Sequence, residues 1–359
     1  MIAPANAHRH QEGFSLTELM VAMAIGLIIL AAVATMFVNS GKTYNNQDRL
    51  ARVQENGRFA MYYLLRDLRM TSYAGCQKDL ADRLSNDLST NTGFFFGSTS
   101  LVTPVEGIDN VTSSPTWSPS GDTTSLPANL WKDSTASTAQ PDMLAIRMVD
   151  TSAMASVMDN PISSLPANPT VDNATNFKKG DIVLIADCMR ADLFQISDTP
   201  TSSQLPHSNS CAAGVTPCNS NAEFSKQYDK AAKVFKFSTR RYFIGKNPNG
   251  TPSLYKDDNG LNSLELVEGI ESVQILYGIA NPPNKEPSIY RKASALSSAD
   301  WTNVVSIKIG ILARTPNTKD TDIDNNTYDV NGTILGPFSD RNSRRVFVAT
   351  VLLKNMVLP

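Results

Sequence analysis

The pattern of apolar and polar positions changes character twice along the chain. From Phe14 to Val38 nearly every residue is apolar, and Leu19 to Gly41 is a run of 23 residues without a charge. As an α-helix such a run extends about 35 Å, enough to cross a hydrocarbon core about 30 Å thick. After Lys42 the period becomes amphipathic. Leu50, Val53, Gly57, Met61, Leu64 and Leu68 recur at steps of three and four, while Arg49, Arg52, Glu55, Arg58 and Arg66 fall mostly off that stripe. An apolar stripe with this spacing is the core-facing side of a helix. The two patterns predict one long helix over residues 14–75, with its transmembrane part at 14–38. Tyr73-Ala74-Gly75 is expected to stop it, and Asn39, Ser40, Gly41, Asn45 and Asn46 to kink or locally melt it.

Residues 76–359 read as a β-rich domain. Strands are predicted at Met143–Val149, Asp181–Asp187, Asp192–Ser197, Val234–Ile244, Ile270–Tyr277, Val304–Ala313 and Arg345–Leu353. In the sixth, Val305, Ile307, Ile309 and Ile311 alternate with Ser306 and Lys308, which predicts one buried and one solvated face. Ser/Thr/Pro/Asn-rich tracts at 97–141, 151–176 and 198–222 read as surface loops. The expected fold class is α+β: a long N-terminal helix laid on an antiparallel sheet with long polar loops.

Composition narrows the chemistry. A net charge of −2 with 18% charged residues implies no general attraction to nucleic acid. The three histidines are His8, His10 and, in a polar tract, His207, which leaves little for histidine-based metal or acid–base chemistry. Neither a nucleophile elbow, a P-loop nor a zinc-protease helix motif occurs, so neither an enzyme nor a cofactor is expected. The four cysteines, Cys76, Cys188, Cys211 and Cys218, contain no C-x-x-C and suit two disulfides in an oxidising compartment. Cys211 and Cys218 enclose a short loop with glycine and proline, whereas Cys76 follows the helix and Cys188 closes a predicted strand. Of the three connectivities, 76–188 with 211–218 is therefore expected.

Glu18 is the anomaly of the apolar segment, because a carboxylate in lipid costs several kcal/mol unless it has a partner. A cleaved signal ending near Ala32-Val33-Ala34, on a secreted enzyme or binding protein, would have a shorter apolar run and no such acid. Gly13-Phe14-Ser15-Leu16-Thr17-Glu18, followed by about twenty apolar residues, instead resembles the leader of type IV prepilins and pseudopilins. That resemblance implies a leader peptide at 1–13, cleaved between Gly13 and Phe14 by a prepilin peptidase that then methylates Phe14. It also implies that Glu18 is neutralised by the N-terminal ammonium of a neighbouring subunit during assembly. Only Arg9 precedes the span, while Lys42, Arg49 and Arg52 follow it, and this bias alone would put the C-terminal part in the cytoplasm. Large domains translocate largely regardless of charge, and the cysteines favour the oxidising side.

Further stretches resemble the PilW family of minor pilins: Asp48 to Ala60, Leu65 to Met70, Gly75-Cys76, Gly180 to Leu184 with Asp187-Cys188, Leu266 to Glu271, Leu276 to Gly278, and Arg344 to Phe347. This implies an inner-membrane, single-pass subunit with a periplasmic domain that later joins the pilus. Its implied partners are other minor and major pilins, the peptidase, the inner-membrane assembly platform and membrane lipid, and its implied work is priming or capping pilus extension for twitching. The large J-type pseudopilins of type II secretion share the Val267-Glu268-Gly269 strand and are the alternative. Three smaller features complete the reading. Asp320, Asp322 and Asp324 have the alternation of a calcium loop, but Asn325 and Asn331 stand where an EF-hand needs glycine and glutamate, so a solvated acidic loop is expected. Arg341, Arg344 and Arg345 read as a solvated strand edge, and Phe94-Phe95-Phe96 as a short buried strand.

Overall fold

The computed structural model describes residues 13–73, 75–76, 83–88, 104–111, 117, 127, 129–132, 139–159, 168–209, 218–221, 223–258, 262–315 and 323–357. Two units divide the chain, residues 1–51 and 52–359. Helix α1 runs Leu16–Met70 without a break. Asn39 to Gly41 do not melt it: the helix is continuous through them, Thr43 Oγ1 donates back to the Asn39 carbonyl at 2.9 Å, and a single helical glycine costs only about 1 kcal/mol against the surrounding ladder. In the first unit the apolar side chains of the span are exposed, Leu27 and Ile28 by 67% and 70%.

In the second unit, the rest of α1 buries Val53, Gly57, Ala60, Met61, Leu64, Asp67 and Leu68. The expected stripe is therefore present but starts one turn late, since Leu50 is 45% exposed. The helix stops at Met70, before the predicted Gly75. Ser72 takes a left-handed φ of 62°, its N–H donating to the Arg147 carbonyl, and the Asn355 amide donates to the carbonyls of Arg69 and Thr71. Of the last turn's carbonyls, those of Leu68 and Met70 accept from the nearby Thr71 and Tyr73 N–H groups and that of Asp67 from Thr71 Oγ1, while that of Arg69 is met from far away by Asn355.

The strands are β1 Leu84–Asn86, β2 Val105–Ile108, β3 Met143–Ser156, β4 Ile182–Ala186, β5 Ala191–Gln195, β6 Lys233–Lys246, β7 Pro252–Asp258, β8 Asn262–Glu268, β9 Ile270–Ala280, β10 Pro287–Arg291, β11 Val304–Arg314, β12 Tyr328–Val330, β13 Thr333–Leu335 and β14 Arg344–Leu352. Short helices α2, Ser298–Thr302, and α3, Lys354–Val357, accompany them. An eight-stranded sheet is ordered β1-β5-β4-β6-β3-β2, with β7 on β6 and β8 on β7. Its hub is β6: β3 lies along one side, while β4 and β7 share the other, at Lys233–Lys236 and Arg240–Lys246. Among the described residues only β1 and β5 pair in parallel. A second sheet is ordered β10-β9-β11-β14, and β12 and β13 form a hairpin. The main core joins α1 to both larger sheets through Leu64, Leu68, Ile146, Tyr242, Ile275 and Ile309.

Each of the seven predicted strands lies on an observed one. The predicted solvated face of β11 is largely covered: Ser306 bonds the Tyr290 hydroxyl of β10, the β12–β13 hairpin packs Val330 and Leu335 against Leu312, and Lys308 stays half-buried. Gly310 makes room for that hairpin; a Cβ there would sit 2.7 Å from Val330 Cγ1. The polar tracts also hold more structure than expected. β2 lies within 97–141, β3 runs on to Ser156, and Val157, Val171, Ala174 and Leu205 belong to a separate core with Phe194 and Tyr228. Scattered apolar residues converge there from several loops, so no local period announces them.

α1 and β14 meet at Gly57. A Cβ there would fall 2.3 Å from the Phe347 ring, so only glycine permits this approach. Its helix-propensity cost of about 1 kcal/mol is offset by a contact that a larger residue would replace with strain.

Candidate functional site

The N-terminal turn is built as a capping box. Glu18 N–H donates to Ser15 Oγ at 3.2 Å, and Ser15 N–H donates to Glu18 Oε2 at 3.0 Å. Each residue thereby satisfies an orphan donor of the other's backbone. The Ser15-x-x-Glu18 spacing is a legible signature that the reading of Glu18 as an assembly residue passed over. Gly13 and Phe14, the expected scissile pair, are both exposed. Among the described residues α1 is the one helix long and apolar enough to cross a membrane.

The second constellation fastens α1 to the domain. Asp67, 2% exposed, accepts from Arg240 Nη1 at 2.5 Å, from the Tyr242 hydroxyl, and from Arg66 Nε at 3.0 Å. Arg240 turns its Nε and Nη2 to Asp258 at 2.5 and 3.1 Å. Burial alone would push the Asp67 carboxyl up, but the Tyr242 hydrogen bond and the Arg240 charge outweigh it and hold it below its ordinary value. Asp67 follows the apolar stripe by position, and the sequence offered no sign that its partners lie on β6.

Beyond the helix, Cys76 and Cys188 form a disulfide with their Cα atoms 4.9 Å apart. It links the segment after α1 to the turn between β4 and β5, as the sequence predicted. Cys218 is disulfide-bonded as well, and its expected partner Cys211 lies outside the described residues.

The remaining candidates are changed by the fold. Asp324 is spoken for: its Oδ2 accepts from Tyr328 and Arg344, and its Oδ1 from Asn326. Asp320 and Asp322 lie outside the described residues, among which no cluster of acidic, histidine or cysteine side chains suits a metal ion. Arg344 is no solvated edge. Its side chain is fully buried, bonded to Glu271 at 2.6 Å, Asp340 at 2.6 Å and Asp324 at 3.1 Å, and it lies over the Phe338 ring. The first position of a strand carries no sequence mark of burial, so periodicity could not place it. Arg345 is exposed, as expected. Phe94 to Phe96 lie outside the described residues. His207 is buried rather than on a loop surface, packed between Phe194 and Phe224, and burial lowers its pKa to about 4. A neutral imidazole walled by aromatics is badly placed to serve as a general base.

Residues 241–355 match the family model described as PilW, Type IV Pilus-assembly protein W. Residues 8–34 match the prokaryotic N-terminal methylation motif. The first match runs from within β6 to α3 and so holds the whole four-stranded sheet; the second holds Gly13, Phe14 and Glu18. Comparison with curated proteins and with solved structures gives no match.

Proposed function

We propose that this chain is a minor pilin of the PilW family of type IV pilus proteins, made as a precursor, cut after Gly13, N-methylated at Phe14 and assembled with other pilus subunits from the inner membrane. The observation that carries the reading is the presence in one chain of the methylation motif and the PilW region, with helix α1 running from the first into the domain that holds the second. The domain faces the periplasm, in keeping with its disulfides. The chain acts by assembly, at the stage of priming or capping extension, and not by catalysis. Before assembly Glu18 is occupied within its own first turn; in the filament it exchanges that contact for a neighbour's N-terminal ammonium, which fixes axial register.

Mass spectrometry of the mature N-terminus tests the reading. The chain should begin at methylated Phe14, and Gly13→Glu should leave the precursor uncut, because a bulky anion replaces the small residue beside the scissile bond. A terminus near Thr35, or normal cutting of Gly13→Glu, would sink it. Glu18→Ala should still insert, since losing a charge makes the span more apolar. Its co-purification with other pilus subunits should fall severalfold, and undiminished recovery would remove the role given to Glu18.

A further inference from the structure

The two edges of the four-stranded sheet are built differently. β10 begins with Pro287, shifts register between Pro287 and Ile289, and ends in Arg291. Proline, a bulge and charge are the means by which proteins keep a sheet edge from accepting another strand. At the opposite edge β14 has nine residues, no proline and an unbroken register against β11.

Its hydrogen-bonding polarity follows from one contact. Leu353 N–H donates to the Val305 carbonyl at 2.8 Å. Stepping back along the register by twos makes Val351, Ala349 and Phe347 the residues bonded to Ile307, Ile309 and Ile311. The N–H and C=O groups of Val346, Val348, Thr350 and Leu352 therefore point to the open side, where no strand among the described residues pairs with them. Val348 and Leu352 are 50% and 42% exposed, so the open edge is also apolar.

Three basic residues flank this edge. Arg345 stands near its start, Lys354 follows its end, and Lys308 lies opposite Thr350 on β11. None of the three forms an ion pair among the described residues. The other edges are less suited. β1 and β2 have three and four residues, and β8 lies across a register shift in its pairing with β7, with its Glu268 carbonyl already taken by Asn56.

We propose that β14 is a docking edge for an extended strand from a different chain, apolar at alternate positions and acidic where it passes Arg345 and Lys354. Main-chain hydrogen bonds to Val346, Val348, Thr350 and Leu352 supply the affinity, and the basic rim selects the partner. A second copy of this chain is the wrong occupant. Antiparallel pairing of β14 with itself would bring the Arg345 end of each strand beside the Lys354 end of the other, and β10 is guarded. The inference stands apart from the pilus reading, because it rests on this edge alone.

The test uses the full-length, disulfide-intact chain in detergent micelles and two synthetic nine-residue peptides. One alternates valine with glutamate; the other alternates valine with lysine. Hydrogen exchange at Val346, Val348, Thr350 and Leu352 should slow at least tenfold with the glutamate peptide and stay unchanged with the lysine peptide. Val348→Lys and Arg345→Glu, both at exposed positions, should keep the parent's melting temperature and lose that protection. Absence of protection with either peptide overturns the docking edge. Equal protection by both overturns its selectivity for acid. Protection that rises with protein concentration and no peptide present shows a second copy on the edge, and overturns the choice of partner.

Discussion

Asp67→Ala should lower the thermal unfolding midpoint of the full-length chain by about 6 °C, which corresponds to roughly 3 kcal/mol for a domain of this size. The cost is not that of one lost hydrogen bond. Removing the carboxylate leaves the Tyr242 hydroxyl and the Nη1 of Arg240 without the acceptor they share, at a place where Asp67 is almost wholly shielded. Breaking a buried ion pair by removing one partner costs about 3–5 kcal/mol, and the lower figure applies because Asp258 still holds the other side of Arg240. The pH dependence has a definite sign. The folded carboxyl titrates below its ordinary value, so its contribution is complete above the unfolded value near 4 and is lost as pH falls through the folded one. The gap between parent and variant should accordingly narrow as the solution is taken below about pH 4. Melting the two chains at pH 7 and pH 3 checks both statements. A shift under 2 °C at pH 7, or a gap that widens in acid, would show that Asp67 does not fasten the helix. Adding Arg240→Met to Asp67→Ala should recover part of the loss, because the double variant no longer buries an underpaired guanidinium.

Cys188→Ser should reduce the yield of folded protein in an oxidising compartment far more than Cys218→Ser. The Cys76–Cys188 bond closes a span of 112 residues, and in the chain-entropy model a loop of that size contributes about 5 kcal/mol. It also fixes the segment that follows the left-handed turn at Ser72, where the chain leaves α1. Cys76→Ser should match Cys188→Ser, and the double variant should be no worse than either, since all three lack the same bond. The Cys218 bond should matter less if its partner is the nearby Cys211, because a short loop loses little entropy on closure. Peptide mapping without reductant, together with folded yields of the four variants, decides the matter. A linked peptide joining Cys76 to Cys211 or Cys218, or equal yields for Cys188→Ser and Cys218→Ser, would overturn the expectation.

How far each feature could be read depended on the range over which its physical cause acts. A helix long and apolar enough to cross a membrane depends on about twenty consecutive apolar residues, so it was plain in the string, as was the methylation motif that holds Gly13 and Glu18. The apolar stripe from Val53 to Leu68 and the seven main strands were legible because one buried face imposes a period of 3.6 or 2 on neighbouring residues. The 76–188 connectivity followed from which cysteines stood beside predicted elements and which faced each other across a short loop.

Other features have causes that lie elsewhere in the chain. How far the Ser306–Lys308 side of β11 meets water depends on Tyr290 of β10 and on the later β12–β13 hairpin, and the sequence of β11 contains neither. Arg344 looks like any surface arginine until Glu271, Asp324 and Asp340 are brought around it, and His207 like a loop residue until Phe194 and Phe224 close on it. Asp67 shares the helix face with leucines, and only the placement of β6 makes a carboxylate stable there. By itself, then, the amino-acid sequence determined the long apolar helix, the methylation motif, the main elements and the long-range disulfide, because each is set by local order or by a count of four cysteines. Tertiary structure alone decided which charges are buried and which edge of the sheet stays open. Those outcomes are set by partners distant along the chain, and such partners leave no periodic trace in the residues they meet.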